Sequence, residues 1–209
     1  MCGDAGLKDI ERSKKVTGHK EFKIIVGDEF LIQVELLQKL FTQLFKKETK
    51  IRFERIEKGE HFYYLNPTSR KIYEFLTHEF DFPPGSKIES IKVPKIILNG
   101  SSETRRWFAR GIFDSDGAVK TVEKANRRIG GNLVYLNMKS KFFINQIYEI
   151  VQNDFNVNFF EPSSNGKDEC WKIGTGSFKI VKTLNKQKIF IHPIKRWRLE
   201  RLALMIKGL

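Results

Sequence analysis

The chain has 209 residues, enough for one large domain or two of about 100 residues each with real cores. It is 40% hydrophobic, with 18 Phe, and 30% charged with a net charge of +13, an excess that favours a polyanionic partner, nucleic acid before an anionic membrane. A membrane span is excluded because no apolar run approaches about 18 residues, the N-terminus has no apolar signal-peptide core, and a soluble intracellular protein is expected. Cys2 and Cys170 make no disulfide framework, and His19, His61, His78 and His192 lack zinc-ligand spacing, so any metal is expected on oxygen.

In chain order, Glu21 to Val26 predicts a short strand. Asp28 to Lys47 predicts a core-facing helix, with Asp28 as N-cap and Leu31, Val34, Leu37, Leu40, Phe41, Leu44 and Phe45 at helical spacing. Lys50 to Ile56 and Glu60 to Leu65 predict two strands about Lys58-Gly59, and Ser69 to Phe80 a helix stopped by Phe82-Pro83-Pro84-Gly85. Residues 81 to 100, broken by Pro83, Pro84, Gly85, Pro94 and Gly100, form a connector that Ile91, Val93, Ile96 and Ile97 keep packed. A boundary there gives units 1–98 and 99–209.

From Ser101 the order repeats. A helix to Asp116 precedes strands near Val119 to Glu123 and Gly131 to Met138, then a helix from Ser140 to Phe155. Strands near Val157 to Phe160 and Glu169 to Ile173, a short helix from Ser177 to Leu184 and a basic amphipathic helix from Pro193 to Lys207 complete the chain. Strand pairs alternating with helices, twice, predict a duplicated α+β unit.

The helix that ends at Asp116 closes on Phe108-Ala109-Arg110-Gly111-Ile112-Phe113-Asp114-Ser115-Asp116-Gly117. Its two acids stand at a helix C-terminus, which carries about half a negative charge, so they lose stability there. The usual compensation is a metal ion or a basic partner reaching in. On a helical wheel Phe108, Gly111, Ile112 and Ser115 share one face, and the small Gly111 and Ser115 invite close approach of a second helix, with Asp116 at the shared end.

The N-terminal Gly3-Asp4-Ala5-Gly6-Leu7-Lys8 echoes Ser115-Asp116-Gly117-Ala118-Val119-Lys120: an acid, two small residues, an apolar residue, and a lysine four positions on. Two such acids at one seam make a paired carboxylate site for hard divalent cations. An ordinary acidic turn closed by Gly117 is the alternative reading. Arg52, Arg55 and Lys58 in the first unit, and Lys120, Lys124, Arg127 and Arg128 in the second, are candidates for phosphates and guanine edges. Lys195, Arg196 and Arg198 in the last helix are candidates for phosphates, against the alternative of a surface helix with snorkelling stems. His192, Trp107 and Trp171 read as core or interface fillers.

Gly111 to Gly117 resembles the second motif of the LAGLIDADG homing endonucleases, of the monomeric two-repeat type found free-standing or inside inteins. Val93-Pro94-Lys95-Ile96-Ile97 with Ser101-Ser102-Glu103 resembles the family's approach to that motif, and Met138-Lys139-Ser140-Lys141-Phe142-Phe143 its strand-to-helix step. The resemblance implies an α+β fold of two αββαββα units related by a pseudo-twofold, motif helices packed at the centre, and a saddle of antiparallel sheet along double-stranded DNA. It implies Asp4 and Asp116 as ligands of Mg²⁺ or Mn²⁺, site-specific cutting of both strands across the minor groove with 3′ overhangs, and Lys8 and Lys120 ordering the waters. A catalytically inactive DNA-binding protein and a maturase gripping structured intron RNA by shape are the two other readings of the same fold. Only Met1, Cys2 and Gly3 precede Asp4, so the first motif lacks nearly all of its helix. A monomer is expected, and a homodimer is the arrangement that would cover a bare seam at Phe108, Gly111, Ile112 and Ser115.

Overall fold

The repeat read in the sequence is a repeat of strand order. The computed structural model describes residues 6–11, 20–55, 61–82, 91–120, 131–165 and 170–205, and the chain divides into units Met1–Lys87 and Ile88–Leu209. In the first unit, β1 (Gly6–Glu11) and β2 (Lys20–Asp28) precede α1 (Leu31–Phe45), β3 (Ile51–Arg55), β4 (His61–Leu65) and α2 (Arg70–His78). Every pairing is antiparallel and the sheet runs β1-β2-β4-β3. Leu7, Ile24 and Leu65 of the strands are buried with Val34 of α1 and Ile72 of α2, so the apolar sheet face is closed by two amphipathic helices.

Two details of α1 differ from the spacing argument. Asp28 does not cap the helix itself; its Oδ1 accepts from the Phe30 amide at 2.9 Å in an Asx turn, and Phe30 is the N-cap. Val34 and Phe41 are buried, but Leu31, Leu40 and Leu44 are 41%, 45% and 74% exposed. Seven apolar positions make a stripe wider than the face the sheet covers.

The second unit adds α3 (Lys95–Leu98) and α4 (Ser102–Asp116), then β5 (Gly117–Val119), β6 (Val134–Met138), α5 (Lys141–Phe155), β7 (Phe160–Asn165), β8 (Cys170–Thr175), α6 (Phe178–Lys186) and α7 (Pro193–Met205). Its antiparallel sheet runs β5-β6-β8-β7, the order of the first. Strand β1 is an element the spacing does not predict, because Leu7 and Ile10 stand three apart, neither alternating nor in a run. It is the counterpart of β5: Leu7 pairs with Ile24 as Val119 pairs with Val134, and all four are buried. The echo between the two segments therefore falls on equivalent edge strands. Strand β7 starts at Phe160 and carries Pro162 where its register slips between Phe160 and Ser163, which an edge strand tolerates.

Helices α4 and α5 form the body of this unit. Ser101 Oγ and Ser140 Oγ cap them, accepting from the amides of Thr104 at 3.1 Å and Phe143 at 3.2 Å. The rings of Phe108 and Phe143 meet edge-on at 6.4 Å. Arg105 grips Asp154 by two bonds of 2.7 and 2.8 Å and donates to the Gly100 carbonyl at 2.7 Å. That guanidinium holds the buried Asp154 carboxyl below its ordinary range. A carboxyl lowered on folding contributes stability at neutral pH and loses it as the pH falls through the lowered value. The end of the connector is tied to α5: the Val93 amide donates to Gln146 Oε1 at 2.8 Å, and Ser140 Oγ donates to the Ile91 carbonyl at 3.3 Å. Among the described residues no helix is long and apolar enough to cross a membrane.

Candidate metal and nucleic-acid site

The end of α4 is fixed by one local contact and by packing and hydrogen bonds to residues far along the chain. Gly117 carries the helix directly into β5: its amide donates to the Phe113 carbonyl, and a Cβ there would stand 2.5 Å from that oxygen. Phe113 is fully buried, edge-on to Phe159 at 6.1 Å and Phe190 at 5.8 Å, which sets the rotation of the last turn. Asp114 then points inward, 8% exposed, and its Oδ1 accepts from the amides of Ile191 at 2.8 Å and His192 at 2.9 Å, just ahead of α7.

Lys195, in the first turn of α7, reaches the other way. Its Nζ donates to the carbonyls of Asp114 at 2.6 Å and Ser115 at 2.8 Å. Each charge stands at the helix end its sign suits, a carboxylate at the N-terminus of α7 and an ammonium at the C-terminus of α4. The cation that compensates this acidic helix end is thus a lysine 81 positions along the chain. Burial pushes the Asp114 carboxyl above its ordinary value, opposed by the two amides and by the charges of His192 and Lys195. Lys195→Met is expected to lower the stability of the chain by about 1–2 kcal/mol in urea unfolding, with part of the loss recovered by Lys195→Arg.

Asp116 is the last residue of α4 and half-buried. Ser115 Oγ stands 2.9 Å from Asp116 Oδ2 and 3.0 Å from the Ile112 carbonyl, and its single hydrogen serves one of these acceptors at a time. Asp116 Oδ1 has no hydrogen-bond partner among the described residues. One carboxylate with a free, accessible oxygen fits Mg²⁺, which binds through one or two carboxylates and completes its shell with waters and substrate phosphate. Among the described residues no group of three or more His, Cys, Asp or Glu stands together. Asp116 therefore fits such an ion as one protein ligand rather than as part of a closed cage.

The remaining residues expected from the sequence are dispersed. Ile112 is 1% exposed in the core of the second unit, Phe108 and Ser115 are half-buried, and Gly111 is exposed with no atom within 4 Å of a Cβ built on it. Lys120 follows β5, half-buried, its amide donating to the Leu133 carbonyl at 2.9 Å. Arg52 and Arg55 are exposed on β3, opposite Tyr64 and His61. Arg196 is exposed and paired with Glu200 at 2.8 Å, and Arg198 is half-buried. Lys8 lies on β1 opposite Lys23. Asp4, Lys58, Lys124, Arg127 and Arg128 lie outside the described residues. His192 is fully buried, as a core filler, and its Nδ1 accepts from the Ile194 amide at 3.2 Å, while Trp107 is 55% exposed and does not fill the core. Two residues that the sequence argument passed over, Tyr135 and Lys172, stand on the open face of the second sheet; the signal for the first was its place between the buried Val134 and Leu136.

The fold is that of the LAGLIDADG homing endonucleases. The chain is similar to I-DmoI in complex with DNA and Ca, with a TM-score of 0.64 over 95% of this chain and 92% of that one at 14% identity. It is similar to I-DmoI in complex with DNA and Mn, with a TM-score of 0.58 over 87% and 88% at 16% identity. It is also similar to the homing endonuclease I-WcaI bound to its DNA recognition sequence, with a TM-score of 0.55 over 94% and 80% at 15% identity. No protein-family model and no curated protein matches the sequence.

Proposed function

We propose that this protein is a metal-dependent, site-specific endonuclease of double-stranded DNA, with Asp116 as a ligand of Mg²⁺ or Mn²⁺. The observation that carries the reading is the free Oδ1 of Asp116 at a helix end whose own negative pole is already met by Lys195. A carboxylate kept at that position against the helix dipole, with one oxygen left open, is positioned for a ligand rather than for stability. Fold likeness to enzymes described in complex with DNA, and the net charge of +13, agree with a duplex as the partner.

The bound ion would polarise a phosphoryl oxygen and lower the pKa of a water. The chain's own part is positional. Phe113 and Gly117 fix where Asp116 emerges, Ser115 orients its carboxylate, and Lys120, just past the three residues of β5, is the candidate lysine for ordering the waters. Asp4, placed by the echo, is the candidate second acid, with Lys8 as its lysine. The exposed Arg52 and Arg55, with Arg196 and Arg198, are candidate DNA contacts.

Purified protein incubated with a randomised duplex library is expected to cut both strands at one sequence when Mg²⁺ or Mn²⁺ is supplied, and to stop when the metal is chelated. Sequence-selective binding with no cleavage under any divalent metal would overturn the enzymatic reading in favour of an inactive DNA-binding protein. Displacement of duplex by structured intron RNA, but not the reverse, would favour a maturase.

A further inference from the structure

Strand β3 ends the first sheet, and among the described residues no strand lies along its outer edge. A bare edge is a template for pairing with another chain, and folds commonly blunt it. In the second sheet the edge strand β5 has only three residues, and β7 is interrupted by Pro162 and a register slip. Strand β3, Ile51-Arg52-Phe53-Glu54-Arg55, has neither device: it pairs with β4 in unbroken register, and Arg52 to Arg55 are all exposed. Phe53 is 56% exposed, even though its ring meets those of Tyr63 at 5.4 Å and His61 at 5.2 Å. The outer side of that aromatic cluster is open.

The charges on this edge protect it from most partners but match a second copy of itself. Antiparallel pairing centred on Phe53 sets Arg52 of each copy opposite Glu54 of the other, Phe53 opposite Phe53, and Ile51 opposite Arg55, whose apolar stem can cover it. Two opposite-charge pairs and one aromatic pair are the cross-strand contacts that stabilise a sheet. A slip of two residues, which keeps the same faces, sets Arg52 against Arg52 or Glu54 against Glu54. A slip of one turns Phe53 to the wrong face, and parallel pairing in register sets every charge against its like. The pattern therefore selects one register, and its symmetry is that of a twofold, in which the same patch serves both subunits. We infer that two copies of the chain pair through β3, joining two four-stranded sheets edge to edge. In the protein free of DNA this sets Arg52, a candidate DNA contact, against Glu54 of the second copy. The pairing needs neither metal nor DNA, and does not rest on the proposed activity.

The test is the oligomeric state of the full chain, without metal or DNA, by sedimentation equilibrium. A five-residue edge makes a small interface, so a Kd on the order of 10–100 μM is expected, within reach of samples up to about 500 μM. Arg52→Glu and Glu54→Arg are each expected to weaken the dimer about tenfold or more, since either sets two like-charged pairs where two opposite pairs stood. Combining the two substitutions restores both pairs, and the double variant is expected to dimerise within about three-fold of the unmutated chain. In the unmutated chain, backbone exchange along β3 is expected to slow as the concentration rises, which tests the pairing even if a variant folds poorly. A chain that stays monomeric throughout overturns the inference, and so does a dimer that both single substitutions leave intact. A dimer broken instead by Gly111→Arg overturns it in favour of the exposed face of α4.

Discussion

Asp116→Asn is expected to reduce Mg²⁺-dependent cleavage of duplex DNA by a factor on the order of 10³ or more, because removing the ligand charge forfeits several kcal/mol of charge stabilisation in the transition state. Duplex binding measured without metal is expected to stay within about two-fold, since Asp116 is not among the residues proposed to meet phosphates. The same substitution is expected to raise thermal stability slightly, by about 0.3–1 kcal/mol, by removing an anion from a helix C-terminus. Opposite movements of stability and activity at one residue distinguish a ligand from a structural acid. If Asp116→Asn cuts DNA at the native rate, the metal assignment fails. Asp114 makes a contrasting pair, since it is buried and its Oδ1 holds the amides of Ile191 and His192.

Phe113→Ala should be the most costly single change to the fold near the site. The ring is fully buried between Phe159 and Phe190, and deleting such a side chain typically costs about 3–5 kcal/mol, through lost transfer energy and the cavity left behind. That is a large share of the roughly 5–15 kcal/mol that a natural domain has in reserve. Urea unfolding of the full chain measures it. Phe113→Leu, which fills most of the volume, is expected to return the larger part. Cleavage by Phe113→Ala is expected to fall even at temperatures where the chain is folded, because the ring sets the rotation of the turn that ends in Asp116, and small misplacements of a reacting group are expensive in rate. Full activity in the folded alanine variant would show that Gly117 and the α7 contacts suffice to place the acid.

Local chemistry announced much of this architecture. Ser101 and Ser140 mark the starts of α4 and α5 by their side-chain caps, within one residue of where the periodicity puts them. The echo around Asp4 and Asp116 pointed to a duplication that the matching sheet orders display. Other features depend on partners that no window of sequence contains. Leu31, Leu40 and Leu44 read as core but are exposed, because spacing reports how apolar a helix is and not how much of it a sheet will cover. Lys195 read as one more base in a basic run, yet its ammonium closes the end of a helix 81 positions earlier. Lys172 carries no signal until register sets it on the face of Tyr135, whose ring centre lies 4.5 Å from its Nζ. The electrostatic anomaly at Asp114 and Asp116 was legible, and so were the two kinds of cation that could answer it. Here the lysine answers the helix dipole, which leaves the open oxygen of Asp116 for the proposed metal.

The exchange of charges between α4 and α7 has a thermodynamic consequence. Each helix supplies the group that terminates the other, so fraying of either end strips a partner from both, and the last turn of α4 opens with the first turn of α7 as one cooperative segment. A ligand bound only when Asp116 is in place draws that shared opening equilibrium toward the closed state by mass action. Filling the site would therefore be felt as slower backbone exchange at Ile191 and His192, which touch no ligand themselves.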